Sequence, residues 1–141
     1  MNSLQAVVDY GIIGLLLALS IWAMAVATER WIFYRRLNVS QFPDRHRFEI
    51  SLTKRLVVIG TVAANAPYIG LLGTVLGIMM TFQNMGAAKT ISVSTIMVGL
   101  SLALKATAVG LLVAIPCVVM NNALRRRVTE LLTEHQVAHG S

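Results

Sequence analysis

The chain has 141 residues, 56% hydrophobic and only 13% charged, with 12 Lys and Arg against 6 Asp and Glu for a net charge of +6. That composition excludes a disordered chain or a nucleic-acid arm, since ordinary soluble domains carry about 25% charged residues. The few charges leave three long stretches nearly empty, which marks a membrane protein.

The segment from Met1 to Ala6 has no basic residue, so it lacks the positive flank of a secretory signal. The first apolar run is Val7 to Thr28, broken only by Asp9. The second, Leu56 to Phe82, has no charge, and the third, Ile96 to Met120, has one, Lys105. Each exceeds the roughly 20 residues needed to cross a hydrocarbon core of about 30 Å. The expectation is an all-α, polytopic membrane protein forming one domain, with spans at about 7–28, 56–82 and 96–120.

Basic residues orient it. Arg30, Arg35, Arg36, Arg45, Arg47, Lys54 and Arg55 lie between spans one and two, and Arg125, Arg126 and Arg127 follow span three. Only Lys89 lies between spans two and three. The positive-inside bias puts the loop at about 29–55 and the C-terminus in the cytoplasm, with the N-terminus and second loop outside. Trp22, Trp31 and Tyr34 suit the inner interface, and Glu29 with Arg30 reads as an interfacial ion pair. Neither loop is long enough to bury a core of its own. After span three, Leu124, Val128, Leu131 and Leu132 keep a helical period, so a cytoplasmic helical tail at about 121–138 continues the span. His46, His135 and His139 fall in loop or tail and read as solvated.

In span two Ala63, Ala66, Gly70, Gly73, Thr74, Gly77 and Thr81 recur at spacings of three and four. Span three repeats this with Gly99, Ala103, Thr107, Gly110 and Ala114. At about 100° per residue each set forms one stripe of small side chains, which lets helix backbones approach closely in lipid. Two readings stand for Thr74 and Thr107: a hydroxyl bonded to the carbonyl four residues back, or a polar lining of a shared interior. Pro67 and Pro116 lie inside spans and read as kinks, static or hinged.

Lys105 is rotated about 160° from Thr107 and off the small stripe. A lysine deep in a bilayer costs on the order of 3 kcal/mol, so it either snorkels or meets an acidic partner on another helix or chain. Cys117, the single cysteine, reads as a buried, inert thiol. No nucleophile–base pair, phosphate loop, metal-ligand spacing or cofactor motif occurs, so an enzyme is not expected. The intramembrane carboxylate expected of a self-sufficient proton pump is missing, so a second protein is expected to supply any titrating acid.

The string from Ala66 to Ile78 (APYIGLLGTVLGI), followed by Phe82, resembles the second-span signature of the ExbB/TolQ family. The string from Ala103 to Pro116 (ALKATAVGLLVAIP), with Asn121, resembles its third-span signature, and Thr28-Glu29-Arg30 also fits. The resemblance covers nearly the whole chain. It implies a multi-pass subunit of a proton-motive-force-driven motor in the bacterial inner membrane, N-terminus periplasmic. The subunit would be a homo-oligomer, a pentamer, around a channel holding two copies of an ExbD-like or TolR-like single-span protein whose aspartate carries the proton. Such a motor energises a TonB-like protein for import of iron–siderophores and vitamin B12, while the TolQ branch serves envelope integrity. Thr74 and Thr107 fall on the family's channel-facing threonine positions. The alternatives are a TolQ-type motor and a passive membrane scaffold or channel. Two features depart from the pattern: the cytoplasmic loop is short, and Leu102 stands where a glutamate is frequent.

Overall fold

The computed structural model describes residues 3–39, 43–89 and 91–139. They form four helices: α1 (Ser3–Arg36), α2 (Arg45–Thr53), α3 (Leu56–Ala88) and α4 (Val93–His139). Three of these, α1, α3 and α4, are long and apolar enough to cross a membrane.

Long apolar stretches become helices because a backbone in lipid must satisfy its own hydrogen bonds. The ends are set locally. Asp44 begins α2 from an extended conformation, its side chain accepting from the His46 N–H at 2.9 Å. The chain then turns through Lys54 and Arg55, and Arg55 takes a left-handed φ of 69° that redirects it into α3. Lys89 ends α3 at a φ of 55°, its N–H reaching the Gly86 carbonyl at 3.3 Å. Pro67 and Pro116 both sit inside unbroken helices, α3 and α4.

The short connection makes α3 and α4 an antiparallel hairpin, and α1 packs against both. Two buried clusters hold the bundle. One, within the spans, joins Leu16 and Ala23 of α1 to Val62, Ala63 and Ala66 of α3 and Val113, Ala114 and Cys117 of α4. The other, at the end rich in basic residues, joins Val26, Ala27 and Tyr34 to Phe48 and Leu52, Leu56 and Ile59, and Leu124, Val128 and Leu131.

The second cluster corrects several expectations. Residues 29–55 hold the last turns of α1 and the whole of α2, and α2 buries Phe48 and Leu52 completely. Each such side chain contributes about 1.5–3 kcal/mol on burial, so the loop shares a core with the spans even though it cannot form one alone. Tyr34 is buried, not an interfacial anchor, and its hydroxyl donates to the Leu52 carbonyl. Trp22 and Trp31 do lie exposed on the outside of α1. His135 is only 2% exposed, because its ring stacks on Phe48 at 4.9 Å. His139 stacks on it in turn at 4.2 Å, while His46 is exposed.

Arg30 completes this end. It forms a two-pronged pair with Glu29 (2.6 and 2.5 Å), gives a third N–H to the Ser51 carbonyl at 2.8 Å, and lies over the Phe33 ring at 4.5 Å. With Tyr34 it therefore satisfies carbonyls in the last turn of α2, which no helical N–H can reach.

Candidate functional site

The small-residue stripes of α3 and α4 face each other along the hairpin. A Cβ on Gly70 would lie 2.8 Å from the Ala106 carbonyl oxygen and 3.2 Å from the Gly110 Cα. One on Gly110 would lie 2.7 Å from the Ala66 carbonyl oxygen. Farther along, Cβ atoms on Gly73 and Gly77 would meet the methyls of Ala106 and Ala103 at 2.7 and 2.9 Å. Backbone therefore lies on backbone, a contact larger side chains would prevent. Ala114 belongs to the buried cluster next to this seam.

Thr74 and Thr107 meet in the middle of it, both half-buried, and their hydroxyls hydrogen-bond directly to each other. Thr74 also reaches the Ala103 carbonyl across the seam at 2.9 Å, closer than its own Gly70 carbonyl at 3.4 Å. Thr107 has the Gly70 carbonyl of the opposite helix at 3.3 Å. Both hydroxyls therefore bond across the seam to the facing helix, and Thr74 keeps the local bond to Gly70 as well. Thr81 makes the contrast, since its hydroxyl bonds back to Gly77 at 2.9 Å within α3. A hydroxyl pair of this kind can accept and donate protons or orient water, but neither group ionises, so it stores no charge.

The stripe is otherwise uncharged. Lys105 projects from another face of α4 and is exposed, while Leu102 is half-buried. Lys105 stands 20 residues before Arg125, about 30 Å along the helix. Its facing charge within the chain is Asp9 of α1. Among the described residues no group of three His, Cys, Asp or Glu gathers that could hold a metal.

Sequence reasoning missed Phe48, Arg30 and Tyr34 as the dock for α2, and it passed over Asp9. A signal for the dock exists: Phe48, Leu52 and Leu56 recur at spacings of four, a short apolar stripe between two basic segments.

Three apolar helices, two of them packed on a glycine–alanine seam with a hydroxyl pair as its polar feature, define a multi-pass helical membrane protein with a close-packed, uncharged interface. Comparison with known proteins narrows the class. Residues 43–137 match the MotA/TolQ/ExbB proton channel family, and the chain belongs to it. It is 49% identical to the biopolymer transport protein ExbB of Aquifex aeolicus over 140 residues, 99% of this chain and 95% of that protein. A Helicobacter pylori biopolymer transport protein ExbB is 44% identical over 95% of this chain and 92% of its own length. The Tol-Pal system protein TolQ of Haemophilus influenzae is 44% identical over 81 residues, which are 57% of this chain and 36% of that protein. The short loop is therefore shared with relatives of nearly the same length. The family is one of channels, not of enzymes.

Proposed function

We propose that this chain is the ExbB-type subunit of a proton-motive-force-driven motor in the bacterial inner membrane. It would act with an ExbD-like single-span protein to energise TonB-dependent import across the outer membrane. The observation that carries this reading is the Thr74–Thr107 hydroxyl pair, set in a glycine–alanine seam of a proton channel family member. The ExbB-type reading is preferred to the TolQ type because likeness to the Aquifex and Helicobacter ExbB proteins runs nearly the whole length, while likeness to the Haemophilus TolQ covers 57% of this chain.

In this reading the basic end faces the cytoplasm, as the positive-inside rule favours, and the N-terminus and the Lys89 turn face the periplasm. Five copies enclose two partner helices. The partner's carboxylate takes the proton, and moving one charge across the membrane supplies about 2.3 kcal/mol per 100 mV. The hydroxyl pair can guide that proton or a water by exchanging hydrogen bonds at no cost in buried charge.

Native mass spectrometry of the complex, co-expressed with an ExbD-like single-span protein, tests the assembly. Five copies of this chain with two of the partner is the expected result, and a partnerless oligomer would remove the motor reading. Thr107→Val is expected to abolish TonB-dependent uptake while leaving assembly intact, with Thr74→Val less severe. Full uptake in Thr107→Val cells would remove the proton-guiding role.

A further inference from the structure

Asp9 lies where α1 packs into the groove of the α3–α4 hairpin, one turn before Ile12, which abuts Gly73. It is only 7% exposed, and among the described residues neither carboxylate oxygen has a hydrogen-bond partner. A buried carboxylate cannot remain both ionised and unpartnered, because desolvation disfavours the bare anion far more than the neutral acid. Something must occupy those oxygens.

The surroundings narrow what it can be. From α4 the charged side chain close enough to act on the carboxylate is Lys105, and among the described residues the two form no ion pair. From α3 there is no charged side chain between Arg55 and Lys89, and its single titratable residue in that stretch, Tyr68, is exposed. On α1 itself the adjacent Tyr10 is exposed and no other charged residue precedes Glu29. Asp9 stands 21 residues before Arg30, and Lys105 stands 20 before Arg125, so both lie about 30 Å from the basic end along their helices. Counted from the basic end, they stand at a similar height in the bundle. The lysine is exposed and carries its ammonium on a flexible four-carbon stem that can swing toward or away from α1.

We infer that Asp9 is a proton-binding site of this subunit, at which a proton and the Lys105 ammonium compete for the same two oxygens. With the proton bound, Asp9 is a neutral acid inside the bundle and Lys105 extends to the surface. With the proton gone, the ammonium closes onto the carboxylate and ties α1 to α4. The inference needs only a membrane-spanning chain. It does not depend on the partner or on the import system, so its failure and that of the motor reading are separable.

Infrared spectroscopy of the full chain in phosphatidylethanolamine–phosphatidylglycerol vesicles tests it, read as a function of pH. The expected signal is a carboxylic-acid carbonyl band at the high-frequency end of its range, as an acid with few hydrogen-bond donors gives. The band titrates reversibly and disappears in Asp9→Asn. In Lys105→Met, with the competitor gone, proton affinity rises on the order of tenfold, as loss of a nearby opposite charge predicts. Helix content by circular dichroism and oligomer mass are checked for each variant. If Asp9→Asn does not fold, carboxyl-¹³C aspartate labelling assigns the band in the native chain, since Asp44, the other aspartate, is exposed. A carboxylate ionised at every pH would make the pair a fixed ion pair and overturn the proposal. A band that titrates identically in Lys105→Met would overturn the competition.

Discussion

The two ends of the α3–α4 hairpin are held by opposite means. In the seam the contacts are glycine and alanine, with Gly70 and Gly110 nearly touching. At the basic end they are large side chains: Tyr34, Phe48, Leu52, Leu56, Ile59 and Leu131 are all buried there. The difference follows the solvent. Lipid tails are as apolar as leucine, so burying a large side chain between helices gains little there, and stability comes from close backbone approach. At the basic end, where α2 folds back onto the bundle, burial from water supplies the drive, and it scales with apolar area.

Breaking the seam should have the largest effect. Gly70→Val places branched carbons against the Ala106 carbonyl, where even a Cβ would lie at 2.8 Å. A loss of about 3 kcal/mol, at the upper end of overpacking effects, is expected. It is checked by thermal unfolding in detergent, with α3 and α4 separating. Phe48→Ala should cost about the same or slightly less, because α2 can relax outward, but the damage should stay local. Limited trypsinolysis would then cut at Arg45 and Arg47 while the seam stays protected; a seam that opens as well would show that the two regions are one cooperative unit.

Smaller changes sharpen the contrast. Tyr34→Phe keeps the ring and removes the donor to the Leu52 carbonyl, for an expected loss of about 1 kcal/mol, read as a lower α2 protection in hydrogen exchange. Lys89→Gly relieves a left-handed residue at the end of α3 and should raise stability by about 0.5–1 kcal/mol without touching either core. An unchanged midpoint in that variant would mean the α3–α4 turn is already relaxed.

Much of the fold was legible from hydropathy. The three spanning helices need no tertiary information, because length and lack of charge decide them. The hydroxyl pair was half legible: spacing put Thr74 and Thr107 on stripes, but nothing in one strand of sequence says which stripe meets which, or that Thr74 would prefer the Ala103 carbonyl to its own Gly70. His135 was misread as solvated because its partner, Phe48, is 87 residues away along the chain. Asp9 was passed over because a carboxylate near the start of a span is ordinary until its surroundings are known.

The sequence by itself determined that the chain is helical, that it belongs in a bilayer, and which faces of α3 and α4 permit close approach. Those properties depend on composition and on a period of 3.6 residues, both local quantities. The tertiary structure decided which groups meet: Thr74 with Thr107, Arg30 and Tyr34 with the end of α2, and Phe48 with His135; it also decided that Asp9 is buried. These pairings join residues far apart in the chain, and they are fixed by how closely the backbones approach and by what each buried polar group needs to satisfy it.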